Sequence, residues 1–123
     1  MNITEKIFEL LPLFDMEPHE INEGSCSTFA AMLRDAGFGR DVWGDDLDMD
    51  LWSDEIQHIE YWLETYGMQH CFTWYEGKFY DSECPEGCEY PDQLPFYKRL
   101  IDYFKLQDVI KKFQATTEIT MRK

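Results

Sequence analysis

The chain has 123 residues and a formal net charge of −14 at neutral pH. This length fits a single domain over residues 1–123, and an aromatic fraction of 16% allows a core without metal or disulfide staples. No segment approaches the roughly 20 apolar residues of a membrane span, and the first residues do not resemble a signal peptide. We therefore expect a cytoplasmic protein whose four cysteines are reduced thiols.

The negative charge is unevenly distributed along the chain. Residues 41–77 contain no lysine or arginine, whereas residues 98–123 contain seven basic and three acidic residues. A negative field repels phosphate backbones and anionic lipid headgroups, so we expect no direct binding of nucleic acid and no membrane association. The acidic surface keeps the protein soluble, imitates DNA and occupies a basic site on another protein, or has a local role such as binding a metal or a basic substrate.

Apolar residues at helical spacing predict two helices in the first third of the chain. The first covers residues 2–11 and ends at Pro12, because proline cannot continue a helix. The second runs from Cys26 to Ala36, with Ser25 as its N-cap and Gly37 directly after its end. The thiol of Cys26 is therefore expected in the first turn of a helix.

Two irregular connections and a third helix are predicted between residues 12 and 67. Residues 12–23 and 38–51 are rich in proline, glycine or aspartate, which favours loops. The third helix has Ser53 or Asp54 as its N-cap, and Gly67 follows its end.

A β-hairpin is predicted around Glu76 and Gly77, which separate two runs of aromatic and β-branched residues. With these two residues in the turn, the numbers of paired residues sum to 153, so that Phe72 opposes Asp81. His70 shares a face with Phe72, because side chains two apart on a strand point the same way. His70 and Asp81 are thus expected to be diagonal neighbours on one face.

The last third of the chain is predicted to contain a loop, a helix and a short strand. Residues 83–95 combine proline, glycine and acids, and residues 96–114 carry apolar positions at helical spacing. The composition of residues 116–121 is typical of an edge strand. The predicted fold class is therefore α+β.

Three residue types with complementary chemistry occur in these elements. Helix N-terminal N–H groups favour the thiolate of Cys26, and a nucleophilic cysteine needs a base that is itself oriented by a third group. His70 supplies the base, and Asp81 can accept its Nδ1–H and leave Nε2 for catalysis. This requires the Cys26 helix to pack on the face that carries His70 and Asp81. The alternatives are a buried structural cysteine and a solvated histidine–aspartate pair.

Two further clusters have weaker spacing. Cys84 and Cys88, with His70 and Cys71 nearby, are a possible zinc set, but their separation is poorer than that of a Cys-x2-Cys pair. The aspartates of residues 45–50 lack the glycine and the final glutamate of a calcium loop. We expect neither a metal nor a cofactor.

The segments that carry the three residues resemble a known superfamily. The run Gly24-Ser25-Cys26-Ser27-Thr28-Phe29-Ala30, the strand that His70 opens, and the run Gly77-Lys78-Phe79-Tyr80-Asp81-Ser82-Glu83 are similar to papain-like cysteine peptidases. The small phage and bacterial members, including NlpC-like and transglutaminase-like groups, are the most similar. The resemblance covers residues 20–97 and implies a papain-like core, in which a Cys-bearing helix packs on a small antiparallel β-sheet with additional helices.

The resemblance also implies roles for individual residues. Cys26 would be the nucleophile, His70 the general base and Asp81 the orienting carboxylate. The family places its oxyanion glutamine six residues before the cysteine, where this chain has Glu20, so Asn22 is the candidate oxyanion donor. The expected protein is a phage-encoded thiol hydrolase or acyl transferase that acts on an amide or thioester bond.

A non-catalytic function is the alternative. The chain would then be an acidic inhibitor that binds a basic site on a host defence protein or nuclease. Both functions imply a protein or peptide as substrate or partner, with a host protein as one candidate. The sequence leaves the oligomeric state open.

Overall fold

The fold combines helices with a small antiparallel sheet. The computed structural model describes residues 1–54 and 70–121, with side chains described up to residue 115. Four strands lie in the sheet in the order in which they occur along the chain. They are β1 (Arg40–Trp43), β2 (Cys71–Tyr75), β3 (Lys78–Asp81) and β4 (Cys84–Cys88). The predicted α+β class is confirmed.

Four α-helices flank the sheet in the described part of the chain. They are α1 (Ile3–Leu10), α2 (Pro18–Ile21), α3 (Cys26–Asp35) and α4 (Pro95–Met121). Asn2 begins α1 with a capping box that it shares with Glu5. None of the described helices is both long enough and apolar enough to cross a membrane.

The hairpin has the predicted register. Thr73 pairs with Tyr80 and Tyr75 with Lys78, so the numbers of paired residues sum to 153. Glu76 and Gly77 both have positive φ angles, of 49° and 79°, as a type I′ turn requires. This turn matches the twist of the two strands and fixes which residues face each other across them.

Helix α3 begins and ends as predicted. Gly37 follows the helix with φ 92°, and the N–H of Phe38 donates to the carbonyl of Leu33 at 2.9 Å, which is the Schellman arrangement. At the other end, Ser25 occupies the N-cap position, but within the described residues its side chain makes no capping hydrogen bond. The predicted N-cap position of Ser25 is confirmed.

Two strands form where the sequence predicted loops. Strand β1 pairs along β2, with Val42 opposite Phe72, and both ends of β4 pair with β3. Pro85 is tolerated because β4 is the last strand of the sheet, where a missing N–H breaks no interior ladder. The rest of β4 is irregular, because its register against β3 shifts between Phe79 and Asp81 and Gly87 has a positive φ of 81°.

The remaining differences concern helix boundaries. Residues 12–23 are not wholly irregular, because they include α2 and most of a 3₁₀ turn (Leu11–Phe14). The predicted edge strand at 116–121 is wrong, since α4 continues to Met121. The predicted third helix lies outside the described residues beyond position 54.

The sheet separates two apolar clusters. Phe79 and Tyr80 are adjacent on β3, so their side chains point to opposite faces. Phe79 belongs to the cluster under α4, whereas Tyr80 belongs to the cluster under α1 and α3. The first cluster contains Trp52, Phe72, Phe79, Leu94, Tyr97 and Ile101. The second contains Ile3, Ile7, Leu10, Ile21, Phe29, Leu33 and Tyr80.

Gly39, just before β1, is expected to be the glycine least tolerant of substitution. Its φ is 76°, and an added Cβ would lie 2.3 Å from the carbonyl oxygen of Trp74. Gly37→Ala is the matched control, because Gly37 also has a positive φ but an added Cβ would have no neighbour within 4 Å. Backbone strain costs about 1–3 kcal/mol at either position, and the steric clash adds to this only at Gly39.

We therefore expect Gly39→Ala to lower the free energy of unfolding more than Gly37→Ala does. Urea denaturation of the two variants and the wild type measures this difference. Equal losses in the two variants would contradict the close approach of Gly39 to β2.

Candidate active site

His70 and Asp81 form a buried hydrogen-bonded pair. The Nε2 atom of His70 lies 2.9 Å from Oδ2 of Asp81, and their side chains are 0% and 3% exposed. His70 directly precedes β2 and Asp81 ends β3, so the register of the hairpin brings the two side chains together. The other oxygen of Asp81, Oδ1, accepts the backbone N–H of Glu83 at 2.9 Å, which fixes the carboxylate.

Aromatic rings hold the imidazole of His70 in place. The ring stacks on Phe96 with centroids 4.3 Å apart and an interplanar angle of 24°. Phe72 and Tyr97 lie beside it, at centroid distances of 5.6 and 5.7 Å. This packing excludes water from the ring and restricts its rotation, so the pair with Asp81 is preorganised.

The thiol of Cys26 reaches His70 at the end of the sheet. Cys26 is half-buried and is the first residue of α3, whose Phe29 packs with Tyr80 on the face opposite α4. His70 instead packs under α4, so the expectation that α3 lies on the same face as His70 and Asp81 is wrong. The two side chains meet because α3 begins where β2 begins.

Several interactions favour the thiolate of Cys26. Burial opposes ionisation, but His70 and the backbone N–H groups of Cys71 and Ser27 together outweigh it and lower the pKa of the thiol. Ser27 belongs to the first turn of α3, where N–H groups lack helical acceptors. A lowered pKa is the property expected of a reactive cysteine.

The pKa of His70 is shifted in the opposite direction. Burial disfavours the imidazolium, but Asp81 and Cys26 together outweigh it and raise the pKa of the ring. A lowered thiol pKa and a raised imidazole pKa both favour a thiolate–imidazolium pair. Because the two groups interact, they titrate as one coupled system.

The roles of the two imidazole nitrogens differ from the prediction. Asp81 was expected to bind Nδ1 and leave Nε2 for catalysis, but it binds Nε2. Nδ1 is therefore the nitrogen that remains for Cys26. Within the described residues Nδ1 has no hydrogen-bond partner, and the nearness of the thiol shows in the pKa shifts that Cys26 and His70 cause in each other.

A network that the sequence analysis missed holds the segment after Asp81. The two terminal guanidinium nitrogens of Arg99, Nη1 and Nη2, donate to the carboxylate of Glu83 at 2.7 Å, and the amide of Asn22 donates to it at 2.9 Å. Burial would raise the pKa of Glu83, but Arg99 and Asn22 outweigh it and lower the pKa. The sequence pointed to Glu83 only through the predicted hairpin, in which paired numbers sum to 153 and Glu83 therefore stands opposite His70.

Asn22, the candidate oxyanion donor, is buried within this network. One N–H of its amide donates to Glu83, and its Oδ1 accepts the hydroxyl of Ser82 at 3.1 Å. An oxyanion role stays a prediction and would use the second amide hydrogen. Glu20, which stands where the family has its glutamine, accepts the backbone N–H of Glu17 at the start of α2.

The possible metal clusters do not assemble. Within residues 1–54 and 70–121, no three histidine, cysteine or carboxylate side chains are arranged to hold a metal ion. Cys84 and Cys88 interact with each other on β4, whereas Cys71 is buried, and burial raises the pKa of its thiol to about 12. The aspartates of residues 45–50 are exposed.

Comparison of the chain with protein-family models, with curated proteins and with solved structures finds no match. The resemblance to papain-like peptidases and the catalytic roles of Cys26, His70 and Asp81 therefore stay predictions.

The pH profile of Cys26 alkylation tests the proposed electrostatics. Only the thiolate reacts with iodoacetamide, and a lowered pKa moves the appearance of thiolate to lower pH. We expect Cys26 to react at lower pH than Cys71, and its profile to move to higher pH in His70→Ala. Quantitative peptide mapping of the alkylated protein measures both profiles.

His19→Ala is the control for this experiment, because His19 is an exposed histidine outside the site. The pH profile of Cys26 alkylation in His19→Ala should match that of the wild type. A Cys26 profile that does not respond to His70→Ala would contradict the thiol–imidazole interaction.

Proposed function

We propose that the protein is a thiol hydrolase or acyl transferase that acts on an amide or thioester bond. Cys26 is the nucleophile, His70 the general acid and base, and Asp81 the carboxylate that orients His70. The observation that carries the proposal is the buried His70–Asp81 pair at 2.9 Å beside a half-exposed thiol of lowered pKa. A nucleophile, a base and an orienting group in contact are the requirement for acyl transfer through a covalent intermediate.

The reaction proceeds in two steps. The thiolate of Cys26 attacks the carbonyl carbon, the imidazolium of His70 protonates the leaving amine or thiol, and the carbon–nitrogen or carbon–sulfur bond breaks. In the second step, neutral His70 removes a proton from water or from another acyl acceptor. The deprotonated water or acceptor attacks the thioester and releases the Cys26 thiolate. The buried carboxylate of Asp81 stabilises the imidazolium that forms in each cycle.

Backbone N–H groups around Cys26 are suited to stabilise the oxyanion. The first N–H groups of α3 have no intrahelical acceptor and point towards the helix start. The N–H of Cys71 lies beside the thiol and lowers its pKa. Preorganised donors of this kind contribute strongly to acyl-transfer catalysis, and Asn22 would add its second amide hydrogen.

The arrangement of elements supports a papain-like core within this proposal. Helix α3 carries the cysteine at its first residue and contributes to the cluster that includes Tyr80 of the sheet. His70 precedes one strand and Asp81 ends its antiparallel neighbour. The same order of residues and elements underlies the resemblance in sequence.

An activated ester tests the proposal without knowledge of the substrate. With p-nitrophenyl acetate, we expect a burst of p-nitrophenolate and an acetyl group on Cys26, detected by mass spectrometry of acid-quenched protein. Cys26→Ala should abolish the acetylated peptide, and Asp81→Asn should slow acylation by about tenfold or more, because His70 loses its orienting carboxylate.

Cys84→Ser is the matched control, since it removes a half-buried thiol outside the proposed site. It should retain acetylation of Cys26. Acetylation that distributes equally among the cysteines, or that persists unchanged in Asp81→Asn, would overturn the catalytic proposal.

The exposed acidic segment after β1 favours a second candidate function. Four aspartates (Asp45, Asp46, Asp48 and Asp50) are exposed on two short 3₁₀ turns, Gly44–Asp46 and Met49–Leu51, and the adjoining Asp48. Such a segment is suited to a basic surface on another protein, and the interaction would weaken with salt.

Replacement of these four aspartates by asparagine tests the inhibitor function. We expect the variant to lose salt-sensitive competition with DNA for a basic DNA-binding protein. Equal competition by the variant and the wild type, or none by either, would reject this candidate.

A further inference from the structure

Two cysteines on β4 lie closer together than their positions along a regular strand would allow. Residues four apart on an extended strand are separated by about 13 Å. In β4, however, Cys88 pairs with Phe79 and Cys84 with Asp81, so four steps along β4 oppose two steps along β3. This contraction coincides with the positive φ of Gly87 (81°), and it brings the two thiols close enough for each to shift the pKa of the other.

The two thiols have different surroundings. The N–H of Gly87 faces the sulfur of Cys84, whereas the sulfur of Cys88 lies 3.6 Å from the carbonyl oxygen of Phe79 and 3.2 Å from that of Tyr90. The neighbouring thiol of Cys88 and the Gly87 N–H lower the pKa of Cys84 despite burial and the nearby carboxylates. The neighbouring Cys84 and burial raise the pKa of Cys88. Cys84 is thus the thiol of the pair that ionises first.

We propose that Cys84 and Cys88 form a redox-active dithiol, a modification site at which a low-molecular-weight disulfide such as oxidised glutathione introduces a reversible intramolecular disulfide. The dithiol lies on the edge strand, and both side chains are partly exposed. This site is separate from Cys26, and the proposal does not depend on the catalytic function.

The exchange balances in two steps. The thiolate of Cys84 attacks one sulfur of oxidised glutathione, forms a mixed disulfide and releases one glutathione thiolate. Cys88 then loses its proton to solvent, attacks the Cys84 sulfur and releases the second glutathione thiolate. Two protein thiols are oxidised to one disulfide, and one glutathione disulfide is reduced to two glutathione molecules.

The other two cysteines do not compete for this pairing. Cys71 is buried, and the pKa of its thiol is raised to about 12, so it reacts slowly in exchange. Cys26 interacts with His70 at the beginning of β2. A metal ion is also disfavoured on β4, because the described residues supply no third ligand.

Peptide mapping of the oxidised full-length protein tests the proposal. The wild type is incubated with oxidised glutathione, its remaining thiols are blocked with N-ethylmaleimide, and it is digested with trypsin. We expect the peptide 79–98 to lack both maleimides and to weigh two hydrogen atoms less than the reduced peptide. Cleavage after Glu86 should leave its two halves joined until dithiothreitol separates them.

Two serine variants test the order of the steps. Cys88→Ser should accumulate one glutathione on Cys84, because no second thiol resolves the mixed disulfide. Cys84→Ser should leave Cys88 largely unmodified. Far-ultraviolet circular dichroism checks that both variants are folded, and the wild-type mapping stands if either is not.

Three results would overturn the proposal. They are a wild-type peptide 79–98 that carries two maleimides after treatment, a disulfide that joins either cysteine to Cys26, and preferential glutathione attachment at Cys88 in Cys84→Ser. Acylation of Cys26 is measured separately, so failure of the dithiol and failure of the proposed catalytic function remain distinguishable.

Discussion

The buried hydrogen bond between His70 and Asp81 imposes the strongest constraint on this structure. A carboxylate and an imidazole without access to water are costly unless each polar atom finds a partner. Asp81 meets this requirement through His70 on one oxygen and the Glu83 N–H on the other. Glu83 is fixed in turn by Arg99 from α4 and by Asn22, which follows α2. The pair therefore ties the hairpin to elements from both ends of the chain.

Features that depend on neighbouring residues could be predicted from the sequence. The type I′ turn at Glu76 and Gly77 requires positive φ angles and fixes the register of the hairpin. That register places His70 beside Asp81. Gly37 likewise marks the end of α3. The sequence did not predict strands β1 and β4, because their stability comes from pairing with other strands of the sheet. In β4, Pro85 and Gly87 also favour a loop locally. Residues 116–121 have a composition typical of a strand, but α4 continues through them as a helix to Met121.

The candidate site was predictable in its residues but not in its geometry. Residue type and register pointed to Cys26, His70 and Asp81. Which imidazole nitrogen Asp81 binds depends on the ring rotamer, and Phe96 sets that rotamer from a distant helix. The support of Glu83 by Arg99 links residues 16 positions apart through tertiary packing. No periodicity in the sequence encodes either contact.

The origin of the site in a hairpin and a separate helix has a consequence for the order of folding. His70 and Asp81 are only 11 residues apart and belong to one tight hairpin, a unit that forms on the microsecond timescale. Cys26 joins them across a much longer loop, which closes later because its entropic cost is greater. The thiol of Cys26 therefore approaches His70 only once the sheet and α3 have docked. Until then, His70 does not lower the pKa of the Cys26 thiol.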